Sequence, residues 1–320
     1  MRKSIVVLVA SSLLLFAGIA GAAEQCRYSA PRNADIDAAG LKLLAVDLGP
    51  NNLVIQGEPG ITRITVHGTA CASNEKWLAD VKVETARHGD TANIVANNGR
   101  HDIIDISLFG GSYAYLKLDV RVPQSLAIKL EEGSGDADAS GLAALDATLG
   151  SGDLKANGVA GEFGLSVGSG DVVASGVGKL NLSSVGSGDV SVDGVHGDAH
   201  VGSVGSGDLG LRNVKGNVSV GSVSSGDVKL AEVGGSVTVD SVGSGDFGVR
   251  NVKGDVSIKA VASGDVNIEQ AGGNVHADSV GSGDFDANGV AGDFSVGSVG
   301  SGDIGHRNVK GKISVPKRDD

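Results

Sequence analysis

The sequence predicts an all-β fold: a single-stranded β-solenoid of about ten 19-residue coils, preceded by an irregular β-rich cap. Three observations predict it. The tripeptide Ser-Gly-Asp occurs ten times, with its aspartates at Asp136, Asp153, Asp171, Asp189, Asp208, Asp227, Asp246, Asp265, Asp284 and Asp303, and the steps between them are 17, 18 and 18 residues, then 19 six times. Between these tripeptides apolar residues alternate with a period of two, the strand period, which puts their side chains on one face. The 320-residue chain also holds 52 glycines and only 3% aromatic residues, so its core must be thin and filled by Val, Ala, Ile and Leu.

The unit at 187–205, "SGDVSVDGVHGDAHVGSVG", shows the grammar. Its apolar columns are Val190, Val192, Val195, Ala199, Val201 and Val204, arranged as two half-repeats. In each half, two apolar residues alternate and a third follows after two more residues, where the chain has turned a corner and points inward again. One unit is therefore one coil with two short strands and two glycine-containing corners. A lone coil buries too little to offset its ordering entropy, so the coils must stack, each strand bonding to the strands above and below. At about 4.8 Å per coil, ten coils make a rod roughly 45–50 Å long. Right-handed winding is the expectation for parallel crossover connections.

In chain order, residues 1–23 have the form of an export signal: Arg2 and Lys3, an apolar stretch, then the small residues Gly21, Ala22 and Ala23, with cleavage expected after Ala23. No second apolar stretch is long enough to cross a bilayer, so the mature chain is expected to be periplasmic or secreted. Residues 24–132 are strand-rich without a fixed repeat, in segments such as "LKLLAVDL", "ITRITVHG", "IIDISLF" and "YLKLDVRVP" separated by Gly, Asn, Asp and Pro. This region holds Cys26 and Cys71, an exported pair expected to form one disulfide. The repeat runs over 133–315, and 316–320 is a charged tail opening with Pro316, which suits the end of a stack whose strand edges would otherwise be open to aggregation.

The formal net charge is −12, and removing residues 1–23, with two basic and no acidic residues, leaves −14. Such a surface argues against nucleic-acid and anionic-lipid partners.

Each candidate site has a structural and a functional reading. In the Ser-Gly-Asp corner, Gly offers the positive φ of a tight turn and Asp can accept backbone N–H groups. The functional rival is calcium, because Gly/Asp-rich repeats can hold Ca²⁺ between coils; here the Asp follows Gly directly and only one half-repeat carries the motif. Stacked carboxylates repel, so donors, water or a cation must offset them. A second column, Asp193, Arg212, Glu232 (one place later), Arg250, Glu269, Asn288 and Arg307, alternates acid and base and predicts solvated salt-bridge ladders, with Lys215, Lys253 and Lys310 on the Arg-bearing coils. His200 and His276 share a column four coils apart, about 19 Å, too far to bind one ion; His306 falls in an inward column at the open end. Neither a catalytic set, nor a cofactor site, nor a metal site emerges. Aromatic platforms for sugar stacking are scarce, and the polar column from His200 to Ser314 is too mixed for a flat ice-binding array.

The passage "YLKLDVRVPQSLAIKLEEGSGDADASG" (115–141), followed by the recurring "GSGD" units, resembles the bacterial putative-adhesin family of β-solenoids, exported domains of unknown function related to autotransporter-adhesin head domains. The resemblance covers most of the mature chain and implies a β-helical exported protein that adheres or interacts, with no catalytic residues to carry over. The expectation is a non-enzymatic adhesion, interaction or scaffold surface in the bacterial envelope, its partner an unidentified protein or glycan surface. A calcium-binding solenoid is the alternative, and a polysaccharide-active β-helix enzyme the third.

Overall fold

The computed structural model describes residues 26–99 and 112–316. The export signal, the segment "IIDISLF" and the last four residues of the tail lie outside the described residues.

Eleven strands carry the chain from the cap into the repeat: β1 (Tyr28–Pro31), β2 (Ala34–Asp37), β3 (Leu43–Gly49), β4 (Asn52–Glu58), β5 (Arg63–Ala72), β6 (Lys82–His88), β7 (Thr91–Asn97), β8 (Ala114–Pro123), β9 (Ala127–Glu132), β10 (Ala137–Ser140) and β11 (Ala144–Leu149). From β10 onward, strands alternate between two long sheets. Sheet A gains one strand after every Ser-Gly-Asp, and sheet B gains one after every opposite corner. Each strand pairs in parallel with the strand one coil away, as in Val190↔Leu209 and Ala199↔Val218. Neighbouring coils thus share every backbone ladder, which is why a unit that cannot fold alone folds in a stack.

The space between the sheets is the core. All six apolar columns of the 187–205 unit are buried, and the same columns continue through Leu209, Leu211, Val214, Val218, Val220 and Val223 in the next coil. Among the described residues four phenylalanines join them fully buried, Phe163, Phe247, Phe285 and Phe294; the last two rings lie 6.0 Å apart. His306 pairs with Ala287 in the final coil but is exposed, its ring 5.6 Å from that of Phe294. The change of step from 18 to 19 also has a place: the pairing offset is 18 at Val177↔Val195 and 19 at Leu180↔Ala199, so the extra residue enters at the corner between Val195 and Ala199.

The cap is built by threading. β3 lies between β7 and β9 in sheet B, and β4 lies between β8 and β10 in sheet A, all parallel. The coil β3–β4 is therefore covered by chain that follows it by tens of residues. Outside this level the pairing turns antiparallel, β5 on β8 and β6 on β7, with β1 and β2 on β5. The Cys26–Cys71 disulfide ties the start of this segment to β5. Arg32 fastens the short 3-10 turn Glu75–Ala79 from the other side, donating to the Leu78 and Val81 carbonyls.

One expectation fails. None of the Ser-Gly-Asp glycines has a positive φ. Within the repeat the left-handed residues form a different column, one per coil: Gly141, Gly158, Gly176, Gly194, Asn213, Glu232, Asn251, Gln270, Gly289 and Asn308. In the Ser-Gly-Asp corner glycine answers to crowding instead. A Cβ on Gly226 would sit 1.9 Å from the carbonyl oxygen of Gly207, the equivalent glycine one coil away. The corners stack backbone on backbone, and only a residue without a side chain fits.

Candidate binding surfaces

The ten aspartates line one edge of the stack as a continuous ladder. The backbone N–H of each donates to Oδ1 of the aspartate one coil before, at 2.8–3.3 Å, from Asp153 on Asp136 to Asp303 on Asp284. The first rung is Asn52, whose Oδ1 accepts from the Asp136 N–H at 3.1 Å. Lying outside the repeat, Asn52 carries no Ser-Gly-Asp signal, and the ladder starts one coil earlier than the motif shows. The repulsion between stacked carboxylates is met by this series of N–H donors. Among the described residues no group of three His, Cys, Asp or Glu side chains is placed to hold a metal ion.

The opposite corner carries the same device with a mixed cast. Asn217 donates its N–H to Asp198, Ser236 to Asn217, Asp255 to Ser236, Asn274 to Asp255, Asp293 to Asn274 and Lys312 to Asp293, at 2.6–3.1 Å. Any short acceptor serves, which accounts for the Asp/Asn alternation after glycine in the half-repeats. Lys312 has no acceptor to offer a further coil, so this ladder ends at the last described turn.

The alternating charge column forms differently from expectation. Its register pairs Asp193 with Arg212 and Arg250 with Glu269, but Ala231 stands between the two arginines, and Glu232 occupies the left-handed site. No ion pair within 4 Å joins these residues; the ion pairs among the described residues lie elsewhere, as in Arg121 with Asp119 and Glu58. The neighbouring left-handed asparagines take the acids instead: Asn213 Nδ2 donates to Asp193 Oδ1 and Asn251 Nδ2 to Glu232 Oε1, both at 2.6 Å. A left-handed residue in this column has its amide within reach of the coil before, and it engages the carboxylate in place of the longer arginine.

Two features carry no sequence signal. Glu132 takes the inward corner place filled one coil on by Leu149, and only 5% of it is exposed. Its carboxyl oxygens lack a partner at full hydrogen-bonding geometry, although the backbone N–H groups of Gly152 and Gly135 face them. Burial pushes its pKa up to about 7, Asp136 and Asp153 push in the same direction, and the backbone of Gly152 and Gly135 pulls it down. The other feature lies on the outer face of sheet B, where His276 Nδ1 is 2.7 Å from Ser295 Oγ and His276 Nε2 is 2.7 Å from Asp278 Oδ1. Nucleophile, base and orienting acid are thus in contact. The set nevertheless lies on a flat, exposed sheet face whose backbone N–H groups are spent on the strand ladder, with none turned toward an incipient oxyanion. It is a hydrogen-bonded surface cluster, and the similar His200–Ser219 contact (2.8 Å) recurs in the same column.

The strand pairing defines the chain as a two-sheet parallel β-solenoid with an antiparallel cap. No family model matches the sequence, and no curated protein matches it. Among solved structures it is similar to a putative adhesin from Parabacteroides distasonis, at 16% identity over 90% of this chain and 97% of that one, with a TM-score of 0.39. It is similar to a putative cell adhesion protein from Clostridium sporogenes, at 12% identity, 90% and 100% coverage and a TM-score of 0.25. A putative lipid binding protein from Parabacteroides distasonis matches at 15% identity, 90% and 97% coverage and a TM-score of 0.29.

Proposed function

We propose that this chain is a non-catalytic exported β-solenoid of the bacterial envelope that presents its two sheet faces as an adhesion, interaction or scaffold surface. The observation that carries the reading is the regularity of the outward faces. Polar and charged side chains recur at fixed register on two sheets of 15 and 14 strands, held by a buried apolar core and edge ladders. A catalytic site normally interrupts such a repeat with convergent, buried polar groups, whereas an extended binding face is what a solenoid supplies by construction. The signal-like form of residues 1–23 supports a periplasmic or secreted mature chain, and an N-terminus at Glu24 in the recovered protein is the expected result. Immobilised signal-less protein is expected to retain an envelope component that excess free protein competes away. Retention of nothing above the background of the bare support would refute the reading.

The second reading, a calcium-stabilised solenoid, is favoured by one observation: the aspartates from Asp136 to Asp284 stack one per coil and accept the next coil's N–H through Oδ1. Melting with and without millimolar Ca²⁺ decides it, since a ladder satisfied by backbone donors is insensitive to the ion.

A further inference from the structure

The aromatic residues that the repeat lacks are gathered before it: all three tyrosines and the one tryptophan lie outside residues 133–315. Along β8, Tyr115 and Lys117 alternate with the buried Leu116 and Leu118, which puts them on the outer face of sheet A. The Tyr113 ring lies 5.7 Å from that of Tyr115, and its place is fixed twice. Its hydroxyl accepts the Arg27 N–H at 3.0 Å, and its own N–H donates to Ser73 Oγ at 3.1 Å. Lys117 Nζ stands 5.5 Å from the centre of the Tyr115 ring and also lines a notch of about 320 Å³ where the cap meets the first coils. In register, Lys117 pairs with Asn52, and in the next column Val54 pairs with Asp138 and Asp138 with Lys155. Val54 is 44% exposed, an apolar side chain at the rim of a polar notch. Among the described residues no hydrogen bond or ion pair engages the Asp138 carboxylate or the Lys155 ammonium. Two lysines and three aspartates line the notch, so neither sign of charge dominates it.

We propose that this notch and the Tyr113–Tyr115 pair form a subsite for the sugar units of a neutral glycan. The inference rests on the interaction reading above and names its partner class. A sugar ring offers an apolar C–H face and a rim of hydroxyls that both donate and accept. The apolar face suits the Tyr115 ring and Val54. The hydroxyls suit the open Asp138 carboxylate and the Lys117 and Lys155 ammonium groups, and hydrogen bonds to charged partners are the stronger kind. A charged chain would meet repulsion as well as attraction here, which leaves uncharged sugar as the matching class. The notch also has the volume of an ordinary small-ligand site. It lies at the junction of cap and coils, where the periodic face is interrupted, and the coils beyond it carry no tyrosine or tryptophan.

The test uses the full mature chain with its disulfide intact. Immobilised protein is titrated with cellohexaose, chitohexaose and mannohexaose, and with polygalacturonate as a charged comparison, at low and high salt. Wild type is expected to bind at least one neutral chain, with an affinity that salt changes by less than about twofold. Tyr115→Ala and Asp138→Ala are each expected to weaken that binding about tenfold, and Tyr115→Phe less than about threefold. Asn267→Ala, far along the same outward column, is expected to change it less than about twofold. Asp138 is exposed, so Asp138→Ala keeps the fold and the test holds even if Tyr115→Ala disturbs the cap, which circular dichroism would reveal. Equal binding by wild type and Asp138→Ala, tighter binding of polygalacturonate than of every neutral chain, or binding abolished by salt overturns the subsite. Failure to bind all three neutral chains overturns it too, but leaves the interaction reading standing if the immobilised protein still captures a competable envelope component.

Discussion

Replacing Glu132 by leucine should make the junction between cap and repeat more stable at pH 8 and indifferent to pH between 5 and 8. The carboxyl titrates near 7 in the folded chain against an ordinary 4.5. Because the folded value is raised, its contribution to stability is fully present below about pH 4.5 and is lost as pH rises through about 7. The gap between the two values corresponds to about 3.5 kcal/mol at about 1.4 kcal/mol per pH unit, an upper figure because backbone adjustment and entering water relieve a buried charge. Leucine suits the place, since Leu149 occupies it in the next coil. Long repeat arrays do not unfold as one unit, so the assay is local: amide hydrogen exchange of Gly133, Gly150 and Ser151, whose N–H groups pair across this corner. After correction for intrinsic pH dependence, wild type should lose protection between pH 5 and 8 while Glu132→Leu keeps it. Asp153→Asn, which removes one of the two facing carboxylates, should move the wild-type transition to lower pH. Identical pH profiles for wild type and Glu132→Leu would refute the reasoning.

Three further outcomes follow from the corners. Gly226→Ala should cost several kcal/mol in denaturant titrations, because its Cβ falls on the Gly207 carbonyl, whereas Gly210→Ala, with nothing nearer than 4.0 Å, should be neutral or slightly stabilising. Asp227→Ala removes the acceptor for the Asp246 N–H and should cost about 1 kcal/mol, while Asp227→Asn keeps an acceptor oxygen and should cost less; equal losses would show that the charge itself is needed. Asn251 has φ +58°, so Asn251→Val should destabilise by about 1–2 kcal/mol and Asn251→Gly should be tolerated, apart from releasing Glu232, as thermal melts of the two variants would show.

The solenoid was legible because its signal is redundant. Ten phased aspartates and the period-two valines give the coil length, the inward columns and the corner ladder, and the register of His200 with Ser219 and Thr238 follows by counting. Contacts between coils that depend on shape were not legible. Glycine before aspartate has the same letters whether it serves a left-handed turn or a crowded stack, and only the packing distinguishes them. The Arg212 column alternates in charge on paper, yet its ion pairs do not form: Asn213 and Asn251 take Asp193 and Glu232, and Ala231 separates the two arginines. Glu132 was hidden because a single glutamate at the end of "AIKLEE" has no periodic neighbour to mark it as inward, and Asn52 because it stands where no motif announces a coil.

The threading of β3–β4 between the later strands bears on how the molecule assembles. As the polypeptide emerges, this early lap has exposed edges on both sides, and it waits for β7–β8 on one side and β9–β10 on the other. Assembly at this end therefore depends on closing loops of many tens of residues, the slow kind of contact. Each later lap needs only its immediate predecessor. The capped end is thus the slow seed of the structure, and the remaining coils can add to it in order, like courses laid on a finished foundation.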